Sequence, residues 1–322
     1  MKKALLFFVR TGISGGILYF IFSRSDLNLQ DIVERIRGIQ RGSLYFAVAA
    51  FGVVLLLGSL RWKILLEAHK IRLTFPRMLK LFFIGLFFNN FLPSLTGGDI
   101  VKAYYVSKET SKRAEAVMTI IVDRGIGMLS LFFLGTGAGI LNLNKPEVRG
   151  PVLTIFVLLA ISLISILLAL NQRFLGKISL IRRKNSNPSR IRVLLGKLYQ
   201  AFYFYKSCPW VLVKAFFLSL LLQATIIVIN YQIALGLGAK DIGIAYFFLF
   251  IPIVSAISAI PISLAGWGVG EISYKEYFRY VGLGGGISVS ISLSMRLILL
   301  AWSLIGLPLY LFHRAPKQKE VF

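Results

Sequence analysis

Apolar residues fall into long uncharged runs separated by short basic stretches, a pattern typical of helical membrane proteins. Runs such as Pro151–Leu170 reach the roughly 20 residues that a helix needs to span a bilayer. The sequence predicts transmembrane helices at about residues 4–23, 43–60, 116–143, 151–170, 211–235 and 286–312. No small-residue cleavage site follows the first, so we expect it to be retained. We therefore predict an all-α polytopic membrane protein with six full transmembrane helices.

Two further apolar stretches contain residues that do not suit a lipid-facing helix. The first runs from Leu81 to Gly98 and the second from Ile242 to Gly270. The interrupting residues are Asn89, Asn90, Pro93, Gly97 and Gly98 in the first, and Pro261, Gly266 and Gly268 in the second. In hydrocarbon, backbone groups freed by proline and glycine must find partners in protein or water. Each stretch therefore predicts a re-entrant hairpin that lines a polar site.

Charge sets the predicted topology. The formal net charge is +24, and the excess lies in loops, above all in the basic segment 171–210. Basic loops stay in the cytoplasm and contact anionic lipids, so the charge does not indicate nucleic acid. This rule predicts cytoplasmic termini, and we expect the membrane to be the inner membrane of a prokaryote. It also predicts that the first hairpin opens from the cytoplasm and the second from the other side.

The two hairpins resemble each other and suggest an internal repeat. Each ends near a carboxylate, Asp99 or Glu271, and each precedes a helix with an intramembrane arginine, Arg124 or Arg296. Inverted repeats with broken helices that meet near the midplane are common in transporters. We therefore divide the single domain, 1–322, into half-repeats at about 43–170 and 211–312. A chance match of short proline and glycine strings is the alternative.

The candidate site combines cations, acids and amides. Arg124 and Arg296 are suited to bidentate contacts with phosphate, and Asp99 and Glu271 to pairing with them or with a cationic headgroup. Structural alternatives remain open for each: an ion pair for Arg124, and a small polar packing face for Arg296. Asn89 and Asn90 either bind substrate or only satisfy the hairpin backbone. The prolines and glycines of the hairpins are expected to shape the backbone.

Three other features bear on the site. Asp123 diverges from Arg124 by about 100° on a helix, so we expect it to hold another partner. Arg61-Trp62-Lys63 is interpreted as an interfacial anchor. Cys208 is the only cysteine, which excludes an internal disulfide and argues against a metal cluster. The sequence therefore predicts neither a metal nor a cofactor.

Together these residues resemble the flippase-like membrane domain of the lysylphosphatidylglycerol synthases, the multiple peptide resistance factors. The resemblance covers nearly the whole chain and rests on Arg61-Trp62, Asn89-x-x-x-Pro93 with Gly97-Gly98-Asp99, Asp123-Arg124, and Pro261 with Gly266-x-Gly268-x-x-Glu271. It implies a stand-alone form, without the aminoacyl-transferase domain, that moves phospholipids between leaflets. Two positions depart from the family pattern. Lys102 stands where an arginine is usual, and Gly270 stands where a basic residue is common.

The resulting hypothesis is a flippase or scramblase for an anionic or aminoacylated phospholipid, with a substrate site of Arg124, Asp99, Arg296, Glu271, Asn89, Asn90 and Lys102. A transporter of a polyprenyl-phosphate carrier or of a small anion would use the same basic cavity. A glycosyltransferase acting on polyprenyl phosphate is the third alternative. We expect no enzyme, because the chain has only 13 acids and none forms a catalytic constellation.

Overall fold

The computed structural model describes residues 28–91, 97–110, 112–170, 199–260, 262–263 and 266–312, together with glycines 12, 15 and 16. Every regular element in these ranges is helical. The predicted first helix, Pro93, Pro261, most of the basic loop 171–210 and the basic residues after 312 lie outside the described residues. The protein is an all-α polytopic membrane protein.

Among the described residues, five helices are long and apolar enough to cross a membrane, and they correspond to five of the six predicted spans. We number the α-helices α1 Leu29–Arg37, α2 Arg41–Ala68, α3 Phe75–Phe91, α4 Gly97–Thr110, α5 Arg113–Leu141, α6 Arg149–Leu170, α7 Pro209–Gly236, α8 Ile244–Ala259, α9 Val269–Arg279, α10 Gly285–Leu304 and α11 Gly306–Leu311. The spanning helices are α2, α5, α6, α7 and α10 with α11. The main difference from prediction is α2, which continues to Ala68 instead of ending near Leu60.

The two broken stretches form helical hairpins. In the first, α3 and α4 pack against each other, and in the second α8 packs against α9. At 1.5 Å per residue, α4 and α9 are only about 21 Å and 17 Å long, less than the roughly 30 Å hydrocarbon core of a bilayer. Neither returning helix is therefore long enough to span the core by itself, which fits the predicted re-entrant hairpins; that both hairpins are re-entrant stays a prediction.

The core lies where α2 and α7 pack along each other and where α10 passes between its neighbours. Helix α10 contacts α1, α3, α7 and α9. Serines 288, 290, 292 and 294 are all buried on it, and such small residues allow close approach of neighbouring helices. The serine face of α10 is therefore buried in the bundle, and its arginine is mostly enclosed by protein.

The two halves place their charged residues at matching positions. Asp99 and Glu271 are each the third residue of a helix, α4 or α9, and each is preceded by a glycine. Arg124 and Arg296 are each the twelfth residue of the next helix, α5 or α10. The separation between acid and arginine is 25 residues in both halves. Helix α9 is shorter than α4, and the longer connection that follows it makes up the difference. The matching positions are those that two half-repeats would show, and the division into half-repeats stays a prediction.

Candidate functional site

Asp99 lies at the centre of a cluster of charges in the first hairpin. Its Oδ1 is 2.7 Å from Lys102 Nζ, and its Oδ2 accepts from Arg124 Nη2 at 2.7 Å and Nε at 2.9 Å. The Asp99 side chain is 4% exposed, whereas that of Arg124 is 55% exposed. The acid is therefore enclosed by two cations, and one of these cations also faces outward.

Glycines place Asp99 at this depth. A Cβ on Gly98 would lie 1.7 Å from the carbonyl oxygen of Gly85, so α4 can approach α3 this closely only with glycine there. The side-chain oxygen of Asn89 accepts from the Gly98 N–H at 2.8 Å. Asn90 Nδ2 donates to the Leu86 carbonyl at 3.0 Å within its own helix. Both asparagines thus satisfy hairpin backbone, one of the two roles that the sequence left open.

Lys102 is held in an aromatic box on the protein side of Asp99. The lysine is buried, with its ammonium 5.0 Å from the centre of the Trp62 ring and 5.2 Å from that of Phe82. Its aliphatic stem crosses Gly85, where a Cβ would be 2.6 Å from Cγ. Cation–π contacts of this kind attract an ammonium group to the ring faces. Lys102 is therefore held between these two rings and the Asp99 carboxylate.

Glu271 forms the corresponding cluster in the second hairpin. Its Oε1 accepts from Arg296 Nε at 2.5 Å and from Ser292 Oγ at 3.2 Å, while its Oε2 accepts from the Gly268 N–H at 2.6 Å. Arg296 Nη2 also donates to the Gly266 carbonyl at 2.6 Å, and its guanidinium lies 4.6 Å from the centre of the Trp267 ring. The Glu271 side chain is 1% exposed. This cluster is more enclosed than the first.

The break before α9 depends on glycine in a different way. Gly266 and Gly268 have φ values of +77° and +83°, in the left-handed region that other residues rarely adopt. This turn exposes the Gly268 N–H to Glu271 and directs the Gly266 carbonyl at Arg296. Both glycines therefore have the backbone conformation that their predicted role requires.

The predicted site residues therefore divide between two clusters. Asp99 pairs with Lys102 and Arg124, and Glu271 pairs with Arg296, each within its own half of the chain. Counting one charge per group, the first cluster is net positive and the second is neutral. That the two clusters face each other across one site stays a prediction, as does binding of substrate by either.

A third buried ion pair was not predicted. Arg61 Nε and Nη2 donate to the two carboxylate oxygens of Asp123 at 2.6 and 2.9 Å, and Nη1 donates to Ser219 Oγ. The interpretation of Arg61-Trp62 as an interfacial anchor is wrong, because Arg61 is 8% exposed and Trp62 is fully buried. The expectation that Asp123 holds a partner other than Arg124 is confirmed. An acid such as Asp123 in an otherwise apolar helix was the feature of the sequence that indicated a buried cation on another helix.

A groove of about 560 Å³ opens beside the first cluster, between α4 and α5. Its walls are mainly apolar and include Ile100, Ala103, Tyr104, Val117, Ile120 and Ile121. Asp99 and Arg124 line one end of the groove. Arg113 also lines the groove and lies nearer its other end. Ile100 is 66% exposed, and Tyr104 and Ile121 are about half exposed, so the groove is open to the outside of the helix bundle. Sequence periodicity alone did not indicate this groove.

Comparison with known protein families identifies the family of this chain. The family described as "Lysylphosphatidylglycerol synthase TM region" matches residues 7–306, nearly the whole chain. The chain belongs to this family. The match includes both hairpins, both charged clusters and the Arg61–Asp123 pair.

Two relatives are similar over most of their length, and a third is similar over a shorter part. A UPF0104 membrane protein of Methanothermobacter thermautotrophicus is 23% identical over 285 residues, which cover 83% of this chain and 84% of that protein. A UPF0104 membrane protein of Pyrococcus horikoshii is 24% identical over 295 residues, covering 83% and 86%. A third, from Methanocaldococcus jannaschii, is 28% identical over 123 residues, about a third of each chain.

Within the lysylphosphatidylglycerol synthase TM region family, the structure accounts for the two unusual positions noted in the sequence. Lys102 occupies the aromatic box, which suits a compact ammonium on a flexible stem. A Cβ on Gly270 would be 2.7 Å from Arg296 Nη2, so glycine there lets the arginine approach Glu271. A basic side chain at position 270 would oppose Arg296 in this arrangement.

Proposed function

We propose that this protein moves a phospholipid between the leaflets of the membrane, with Arg124 as the phosphate-binding residue and the α4–α5 groove as the site of the apolar chains. The observation that carries this proposal is the combination of an apolar groove, open to the outside of the helix bundle, with a half-exposed arginine at its inner end. A small soluble anion needs the arginine but not the apolar walls. Family membership supports the same lipid-related role.

The barrier to lipid crossing comes from the headgroup. A phosphate moved through hydrocarbon loses its hydration, at a free-energy cost far larger than that of any neutral polar group. Charge-assisted bonds to a guanidinium replace part of that hydration. Arg124, about 16 Å along α5 from its first residue, lies well inside the span and offers such bonds where water is scarce.

Lys102 allows Arg124 to exchange its partner Asp99 for a phosphate. When a phosphate takes Arg124, Asp99 loses one of its two cations, and an unpaired buried carboxylate would be costly. Lys102 stays 2.7 Å from Asp99 and is not in the groove wall, so the acid keeps a partner throughout. We therefore assign Lys102 a positioning role and Asp99 the role of a counter-charge that holds Arg124 in the empty groove.

The second hairpin supplies the corresponding element for the other leaflet. Its acid and arginine repeat the positions of Asp99 and Arg124, and inverted repeats in transporters open a site to each side in turn. In the present structure Arg296 is 17% exposed against 55% for Arg124. We propose that the described state is open at the first cluster and closed at the second, with the first hairpin on the cytoplasmic side of an inner membrane.

A proteoliposome assay tests the proposal. Purified protein is reconstituted with a trace of fluorescent phosphatidylglycerol, and an impermeant quencher measures how fast the lipid changes leaflet. We expect translocation well above that of protein-free vesicles and a loss of at least about tenfold for Arg124→Gln, which retains size and polarity but not charge.

Arg149→Gln is the matched control, because Arg149 is an exposed arginine on a membrane helix outside the groove. Reconstitution and thermal stability of each variant are checked first. Wild-type rates equal to those of empty vesicles, or an Arg124→Gln rate equal to that of Arg149→Gln, would reject the proposal. The glycosyltransferase alternative gains no support from the clusters, since Asp99, Asp123 and Glu271 are all enclosed in ion pairs.

A further inference from the structure

The charges that line the groove bear on which headgroup it accepts. Resting on the proposed function, we infer that the groove is selective for lipids whose phosphate headgroup carries a net negative charge, and that it excludes cationic, aminoacylated headgroups. Arg113, which no earlier argument assigned, is then the outer phosphate-binding residue.

The groove wall contains two arginines and a single acid. Arg113 and Arg124 both line it, and Asp99 is the one acidic side chain among the described lining residues. Asp99 is 4% exposed and already held by Lys102 and Arg124. An ammonium group that entered would meet two guanidinium groups and no available carboxylate. Like charges placed together at an interface disfavour binding strongly.

Other acids near the outer end are committed elsewhere. Glu109, near the end of α4, is 8% exposed and lies 2.8 Å from Arg77 at the mouth of the hairpin. Glu115, on α5, is not part of the groove wall. Neither acid therefore offsets the positive charge of the two arginines that a lipid in the groove would meet.

The spacing of the two arginines fits a stepwise path for one phosphate. Arg113 is the first residue of α5 and Arg124 the twelfth, so they are separated by about 16 Å along the helix. That is roughly half of a hydrocarbon core about 30 Å thick. Between them lie Val117, Ile120 and Ile121 on α5, and the facing wall of α4 adds the hydroxyl groups of Tyr104 and Ser107 but no charge. A phosphate bound first at Arg113 near the helix end reaches Arg124 without meeting another charge.

The chemistry recognised is a net-negative phosphate on an apolar chain, which both an anionic phospholipid and a polyprenyl phosphate provide. The experiment therefore compares headgroups. Wild-type protein in phosphatidylcholine vesicles is assayed with trace fluorescent phosphatidylglycerol, phosphatidylcholine or lysyl-phosphatidylglycerol. We expect phosphatidylglycerol to move at least about tenfold faster than lysyl-phosphatidylglycerol, with phosphatidylcholine between them.

Variants at Arg113 locate the selectivity. Arg113→Gln is expected to reduce the ratio of phosphatidylglycerol to lysyl-phosphatidylglycerol rates several-fold, and Arg113→Glu to reduce it further, while Arg149→Glu leaves it unchanged. Unlabelled phosphatidylglycerol and polyprenyl phosphate are then compared as competitors, and the one that slows the probe more is the better ligand of this class. Phosphatidylcholine should compete less than either.

The outcomes separate this inference from the proposed function. If no lipid moves faster than in protein-free vesicles, the proposed function fails. If lipids move but lysyl-phosphatidylglycerol keeps pace with phosphatidylglycerol, the selectivity is refuted and transport stands. If the selectivity is present but Arg113→Glu leaves the ratio at the wild-type value, the role of Arg113 is refuted.

Discussion

The Arg61–Asp123 pair permits a quantitative test of whether a buried charge in this bundle is structural. Both side chains are only about 10% exposed, and the guanidinium meets the carboxylate at 2.6 and 2.9 Å. At an effective dielectric constant of 20, unit charges about 4 Å apart attract by about 4 kcal/mol. Removing one partner forfeits this attraction and leaves the other charge buried. We therefore expect Arg61→Met or Asp123→Asn alone to cost about 3–5 kcal/mol.

The double variant should behave differently from the sum of the singles. Arg61→Met with Asp123→Asn removes both charges together, so no uncompensated charge remains. Its loss of unfolding free energy should be smaller than that of either single variant. Reversible unfolding in mixed detergent micelles, followed by tryptophan fluorescence, measures all four proteins. Additive losses, with the double variant least stable, would refute the account of a mutually compensating pair.

The same set of single and double variants also tests whether the pair has a structural role or a role in transport. Neither Arg61 nor Asp123 lines the groove. The double variant should therefore keep most of the wild-type lipid translocation once it is reconstituted as folded protein. A folded double variant that has lost translocation would assign this pair to the transport path instead.

Two further predictions concern packing and pH. Gly98→Ala should destabilise the protein by about 3 kcal/mol or more, since the added methyl meets the Gly85 carbonyl and only backbone movement can relieve the contact. Burial lowers the pKa of His69, with Lys112 acting in the same direction and Glu115 opposing it, so the folded protein favours the neutral ring. Stability from this residue should be complete above about pH 6.5 and decline as the pH falls toward the lowered pKa.

Each of these two predictions has a matched control variant. Gly137 has no atom within 4 Å of an added Cβ, so Gly137→Ala should be neutral or gain up to about 1 kcal/mol in thermal unfolding. Equal effects at both glycines would contradict the contact argument. His69→Phe keeps a ring against Phe204 and Tyr205 but cannot titrate. If its melting temperature falls on acidification as steeply as that of the wild type, His69 is not the source of the slope.

The sequence predicted the elements well because membrane insertion leaves few alternatives. An uncharged run of about 20 residues can hardly be anything but a spanning helix, and a run broken by proline and glycine has to be sheltered by protein. The end of α2 was misplaced for an instructive reason. Arg61 looked like the edge of the membrane, yet a partner on α5 allows the helix to continue to Ala68.

The surroundings of the site were less predictable than its charges. Asp99, Arg124, Glu271 and Arg296 stand out as charges in apolar segments, and their equal spacing was available in the sequence. The box around Lys102 was not, because Trp62 and Phe82 come from different helices that only tertiary packing brings together. The groove likewise depends on how far α4 and α5 separate, a property that no single-helix pattern contains.

The equal separation of acid and arginine in the two halves restricts where the chain can change length. One residue inserted within α5 before Arg124 would turn that side chain by about 100° and move it about 1.5 Å along the axis, away from Asp99. The same holds for α10 and Arg296. Insertions and deletions should therefore be tolerated in the segment between the halves but not within α5 before Arg124 or within α10 before Arg296. Natural variation in length offers a record of this constraint that requires no measurement of transport.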